Sequence, residues 1–213
     1  APWAILLEAR VLAANGSFSA AMELFSKIPD AHASSLDARL EILKIIHHPA
    51  GAMLPAKFKP TNVMEYMLDL ERDAQGGRRR DILTEIDFLK VNLAIDQREY
   101  TLASDILMKL REDPRDPEVS KKAKSLLLDL RKRYPKELEL VSLADRVREA
   151  KILLKEGELD EALKLVKDAE NLTTRSSPAF VDLAMLETQL LRKLDKHRDL
   201  EQLLNEIVAA NTP

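Results

Sequence analysis

Gly157-Glu-Leu-Asp-Glu-Ala162 decides the reading of this chain, because a diverged copy, Gly16-Ser-Phe-Ser-Ala-Ala21, stands near the N-terminus. A looser copy, Arg98-Glu-Tyr-Thr-Leu-Ala103, lies between them. Each copy follows one amphipathic stretch and opens another, which is the pattern of a helix, a tight turn and a second helix. Its recurrence predicts a helical repeat array rather than a compact enzyme fold.

Composition points the same way. The 213 residues include only 5 glycines and 4% aromatics, too few for a protein of strands and tight loops. Leu, Ala, Glu, Lys and Arg take their place, and these are good helix formers. The expectation is an all-α chain. A net charge of −3 lacks the basic footprint of a nucleic-acid binder. No run of about 18 apolar residues is present to span a membrane. Without cysteine there are no disulfides, thiolate zinc sites or thiol catalysis. That absence fits the cytoplasm and the bacterial periplasm alike, and a soluble protein of either compartment is expected. The chain does not begin with Met and carries no signal-peptide pattern, so a removed N-terminal piece or a segment of a longer protein is expected.

Periodicity predicts eleven helices. The first covers 2–14, with Pro2 suited to an opening turn and Asn15-Gly16 breaking it. The second covers 18–28 and is stopped by Pro29-Asp30, and Ser34 or Ser35 caps the third. His47–Pro60, with three prolines after its paired histidines, cannot be a continuous helix and is long for a helix–helix connection. Thr61 or Asn62 caps the fourth helix, which ends before Gly76-Gly77. Further helices are expected over 79–96, 100–111, about 117–133, 138–155, 159–171 and 177–194, with a last one carrying Leu200, Leu203, Leu204 and Ile207. Eleven is odd, and the seventh is the one without a mate. A seam is therefore expected there, dividing 1–112, with its Pro-rich loop at 48–60, from 113–213.

Residues at the turns refine the fold. The first unit supplies Ala9, Gly16, Phe18, Ala21, Phe25 and Ile28, and the unit around Gly157 supplies Ala150, Leu159, Ala162, Val166 and Ala169. The middle unit offers Tyr100, Ala103, Leu107 and Leu110 but has Val91 where a small residue is wanted. The last offers Thr188, His197, Leu200, Leu204 and Ile207. This pattern resembles the tetratricopeptide repeat (TPR) family, in which small residues let two helices joined by a short turn approach closely. The resemblance implies a right-handed α-solenoid of antiparallel helix pairs. It also implies a concave groove, lined by the first helix of each pair, that takes a peptide or a partner helix. Carried onto this chain, the groove candidates are Leu6, Arg10 and Ala13 in the first unit, then Phe88, Asn92, Val147, Lys151, Met185 and Gln189. In this scheme Arg10 and Lys151 receive a carboxylate, while Asn92 and Gln189 receive a peptide backbone.

Nothing in the sequence points to catalysis or to a cofactor. His47-His48 are adjacent, whereas helical metal sites space two histidines three or four residues apart on one face. Arg78-Arg79-Arg80 reads as a solvated charge run, and Arg131-Lys132-Arg133 suits the last turn of a helix. Glu158, Asp160, Glu161, Asp168 and Glu170 sit where helices start or face solvent, with no apolar cleft expected to raise a pKa. The expectation is a non-catalytic scaffold or adaptor that binds a protein partner. The alternative is the helical sensor or regulatory segment of a larger protein, such as a transcription activator or a cell-envelope enzyme. The last helix keeps an apolar stripe, so it is expected to continue into further sequence or to pack on another subunit.

Overall fold

The structure is a computed structural model that describes residues 1–113, 115–138, 142–174 and 177–210. Among these residues the chain is all-helical, with eleven α-helices, two short 3-10 turns and no strand. It divides into two compact units, Ala1–Glu137 and Leu138–Pro213.

The first unit holds α1 (Pro2–Ala14), α2 (Phe18–Phe25), α3 (Ser35–His47), α4 (Val63–Gly76), α5 (Arg80–Asp96), α6 (Tyr100–Glu112) and α7 (Pro117–Arg133). Where the sequence places polar caps, the structure uses several of them. The Asn62 side chain accepts from the Glu65 N–H at 3.1 Å, and the Asp116 side chain accepts from the Val119 N–H at 3.1 Å. The α2 helix stops short of Ile28, because a residue before proline is pushed out of the helical region. The Ser26 hydroxyl, donating to the Glu23 carbonyl at 2.9 Å, already competes with the helical ladder there. Ile28 is buried all the same.

Packing within this unit follows chain order, with the odd helices also touching in succession: α1 meets α2 and α3, and α3 meets α4 and α5. One core gathers Ala9, Ala21, Phe25, Ala38 and Ile45, and another gathers Leu43, Met67, Leu70, Ile82 and Ile86. The 48–60 segment forms the 3-10 turns Pro49–Met53 and Ala56–Phe58 and tucks Leu54 and Phe58 into the first core. Gly51 makes this route fit, since a Cβ there would lie 2.7 Å from the Ile46 carbonyl oxygen and closer still to that of Ile45.

The seam falls after α7 rather than before it. Ala123, Leu127 and Leu130 bury one face of α7, which packs along α6. The Ser120 hydroxyl donates to the Arg111 carbonyl at 2.7 Å, and the Tyr100 and Tyr134 rings stack at 3.8 Å. The division was expected at 112/113; by packing, the first compact unit runs through Glu137 and includes α7.

The second unit holds α8 (Leu143–Glu156), α9 (Leu159–Glu170), α10 (Pro178–Lys193) and α11 (His197–Ala210). The α8 helix was expected from 138; it begins at Leu143, where the Ser142 hydroxyl accepts from the Asp145 N–H at 3.1 Å. The stretch 139–141 and the closing 211–213 lie outside the described residues. The core joins Ala150, Ala162, Val166, Leu183 and Leu190 across α8, α9 and α10.

One turn recurs in both units. After α1, α4, α5, α8 and α10 a residue with positive φ is followed by an N–H that bonds back five residues: Ser17 to Leu12, Arg79 to Ala74, Glu99 to Ala94, Glu158 to Leu153 and Lys196 to Leu191, at 2.8–3.0 Å. This is the Schellman closure of a helix. Glycine fills the left-handed position at Gly16 (φ 76) and Gly157 (φ 85), while Arg78, Arg98 and Asp195 fill it elsewhere at φ 54, 63 and 58.

Candidate docking surface

In an α-helix each residue advances about 100°, so Trp3, Leu7 and Val11 lie within one narrow arc of α1. Ala9, buried in the core, points the opposite way. The three are 60%, 52% and 60% exposed, and together they form an apolar stripe on the side of α1 turned away from its packing. Glu8 and Arg10 are the only charged residues of α1, which is apolar on every face although it is packed on one.

Beside this stripe runs a ladder of ion pairs that joins the odd helices. The Arg10 guanidinium donates to Glu41 at 3.1 Å and to Asp37 at 3.4 Å. Asp37 also accepts two bonds from Arg79, at 3.0 and 3.2 Å, and Arg79 donates to Asp81 at 2.7 Å. The Lys44 ammonium lies 3.0 Å from Glu85 and 3.9 Å from Glu41. The hydrogen bond from Arg79 holds the Asp81 carboxyl below its ordinary pKa, and the bonds to Asp81 and Asp37 push the Arg79 guanidinium up. All three cations are therefore neutralised on the spot. Further along α5, Asn92 and Asp96 stay exposed on the same side, and Asp96 faces His47, whose pKa is lowered by burial against the pull of that carboxylate.

The expected groove residues fare unequally. Leu6 and Phe88 are each 7% exposed, so neither can meet a ligand from solvent. Leu6 turns into the α1–α2–α3 core, and Phe88 lies under Lys122 of α7, whose ammonium is 3.9 Å from the ring centre. Arg10 does meet carboxylates, but those of its own chain. Ala13 is half-buried against the first core. Asn92 is exposed as expected. In the second unit, Val147 packs on the core, while Lys151, Met185 and Gln189 are exposed on α8 and α10. Val181 extends the Met185 face by one turn. Trp3, Leu7 and Val11 were not among the expected groove residues and are exposed.

The other motifs resolve locally. His48 Nδ1 accepts from the Ala50 N–H at 3.2 Å and its ring packs on Phe18, while His32 Nδ1 accepts from the Ser34 N–H at 3.1 Å. His197 pairs with Asp195 at 2.8 Å. Among the described residues no three ligating side chains converge on a point that could hold a metal ion. The arginine run is engaged rather than solvated at Arg79 and at Arg80, which pairs with Asp113. A concavity of about 880 Å³ opens between the α2–α3 connection and α4, lined by Asp30, His32, Ser35, Arg39, Tyr66 and Asp73. Its Arg39 is tied to Asp73 at 2.5 Å and lies 5.4 Å from the Tyr66 ring centre.

One carboxyl departs from the sequence expectation. Glu170, at the end of α9, has its pKa pushed up to about 7 by burial, by a hydrogen bond shared with Glu187 of α10 and by the charge of Glu187. Its Oε1 is buried without a hydrogen-bond partner, and Glu187 is itself buried, with Lys167 at 4.0 Å. The pair bridges α9 and α10, with Glu187 buried and Glu170 half-buried.

No family model, curated protein or solved structure matches this chain.

Proposed function

We propose that the chain is a non-catalytic TPR-like scaffold that binds a protein segment on the odd-helix side of its first unit. The observation that carries this reading is the juxtaposition on α1, α3 and α5 of an exposed apolar stripe with a self-neutralised ion-pair ladder. Isolated apolar side chains are ordinary on a protein surface, but three in one arc on a helix apolar all round are the usual mark of an interaction site. In this reading the helix pairs stack as a right-handed α-solenoid, the Schellman turn closes each hairpin, and α7 ends the odd row as a capping helix.

Leu7→Glu places a charge in the stripe without touching the core. Affinity purification with the wild type, Leu7→Glu and Lys151→Glu tests the reading. Partners are expected to be retained by Lys151→Glu and lost by Leu7→Glu. Retention by Leu7→Glu would refute the α1 face, and loss only in Lys151→Glu would move the site to the second unit.

A second reading, a sensor for a small ligand, draws on the polar concavity at Arg39 and Tyr66. It predicts a metabolite-dependent rise in melting temperature that Arg39→Ala abolishes, and no such rise in a broad metabolite screen would discard it.

A further inference from the structure

The chemistry of the partner follows from the same surface, and this step rests on the reading just proposed. We propose that the face of α1, α3 and α5 receives an amphipathic helix whose polar side is basic. Charge decides the sign. Arg10, Lys44 and Arg79 are each held by carboxylates of the ladder, and two of those carboxylates, Asp37 and Glu41, lie between two cations. The ladder holds four carboxylates, Asp37, Glu41, Asp81 and Glu85, against these three cations, and Asp96 stands exposed further along α5. An acidic segment would have to compete with these carboxylates for Arg10, Lys44 and Arg79. A basic one meets the ladder's excess of carboxylate beside an apolar strip.

The apolar strip decides the conformation. Leu7 and Val11 offer no hydrogen-bonding group to an incoming backbone, and Trp3 offers a single indole N–H donor. An extended peptide laid across them would strand its N–H and C=O groups, whereas a helix brings its own already satisfied. The stripe rises about 6 Å per step, which matches apolar residues spaced i and i+4 on a partner helix. The exposed apolar area, on the order of 400 Å², is of the size at which a patch marks an interaction site. Trp3 supplies the anchor type found most often at the energetic centre of such contacts.

Panning a displayed library of randomised helical peptides against the full chain, with counter-selection on Leu7→Glu, tests both layers. Trp3 is the chain's single tryptophan, so its emission reports occupancy directly. Selected peptides are expected to be net basic with apolar residues at i and i+4 and to blue-shift Trp3. They are also expected to lose affinity by about tenfold between low and high salt. The double variant Asp81→Lys, Glu85→Lys, which lies clear of the stripe, is expected to weaken them by a factor of about five or more. Peptides that discriminate against Leu7→Glu yet are acidic or uncharged would overturn the basic partner while leaving the docking face intact. Failure to recover any peptide that prefers the wild type over Leu7→Glu would overturn both. Circular dichroism of Leu7→Glu guards against misfolding, and Trp3→Ala, read by calorimetry, repeats the test at a second exposed position.

Discussion

Replacing Glu170 with Gln should stabilise the second unit, and more so as the pH rises. The folded chain holds the Glu170 proton with a pKa of about 7, above the ordinary 4.5, because the carboxyl is buried and shares a hydrogen bond with Glu187. Folding is therefore linked to proton uptake: the stability present below about pH 4.5 is lost as the pH rises through 7, where the folded state must ionise as well. Displacement from 4.5 to about 7 corresponds to roughly 3 kcal/mol at full strength, and partial exposure with solvent screening brings it nearer 2 kcal/mol. Glutamine stays neutral and can donate to the Glu187 carboxylate in place of the acid proton. The expected gain is about 2 kcal/mol at pH 8 and only about 0.5 kcal/mol at pH 5. For a unit of this size that is a rise of roughly 10 °C in melting temperature at the higher pH. Thermal unfolding followed by circular dichroism at both pH values reads the difference directly. A gain of equal size at pH 5 and pH 8, or a loss at pH 8, would refute the reasoning, because either would mean that Glu170 ionises in the fold as freely as in the unfolded chain.

Other perturbations follow from single contacts. Gly51→Ala should cost about 3 kcal/mol or more in urea unfolding, because its Cβ would press on the carbonyls that end α3 and nothing flexible stands there to yield. Arg98→Gly should stabilise by about 0.5–1 kcal/mol by relieving the left-handed backbone, and Gly157→Ala should destabilise by a similar amount in the same assay. Asp37→Ala removes the carboxylate that Arg10 and Arg79 share, and should lower stability by about 1 kcal/mol in dilute buffer and by less in high salt.

The helices were legible because their signals are local. Pro2 and Asn62 carry the chemistry of helix starts, and Gly16 and Gly157 that of helix ends, whereas the Ser142 cap was not read and α8 was expected five residues early. The same turn at Arg78, Arg98 and Asp195 was harder to read, since arginine has no preference for positive φ and aspartate a weaker one than glycine. The place of the seam has a similar cause. Its Asp-Pro-rich connection looks like a linker, but what holds α7 in place is a buried Ala123–Leu127–Leu130 face that meets α6 only in three dimensions.

The reading of α1 is more instructive, because burial of Leu6 and the pairing of Arg10 change what the proposed docking face asks of a partner. On α1 nearly every position is apolar, so periodicity cannot orient the helix, and Leu6 and Leu7 are indistinguishable until α3 is in place. The fold turns Leu6 inward and Leu7 outward and brings Arg10 against Asp37 and Glu41. A cation that in the sequence invites a carboxylate ligand is thereby consumed within the chain, and what remains exposed is the acidic remainder of its network. Phe88 shows the same effect from the other side: an aromatic at a groove position is covered once α7 joins the first unit and sets Lys122 over it. In the proposed reading, long-range ion pairs thus invert the sign that local sequence assigns to this surface. A ligand search guided by Arg10 alone would begin with acidic peptides, whereas one guided by its partners begins with basic helices.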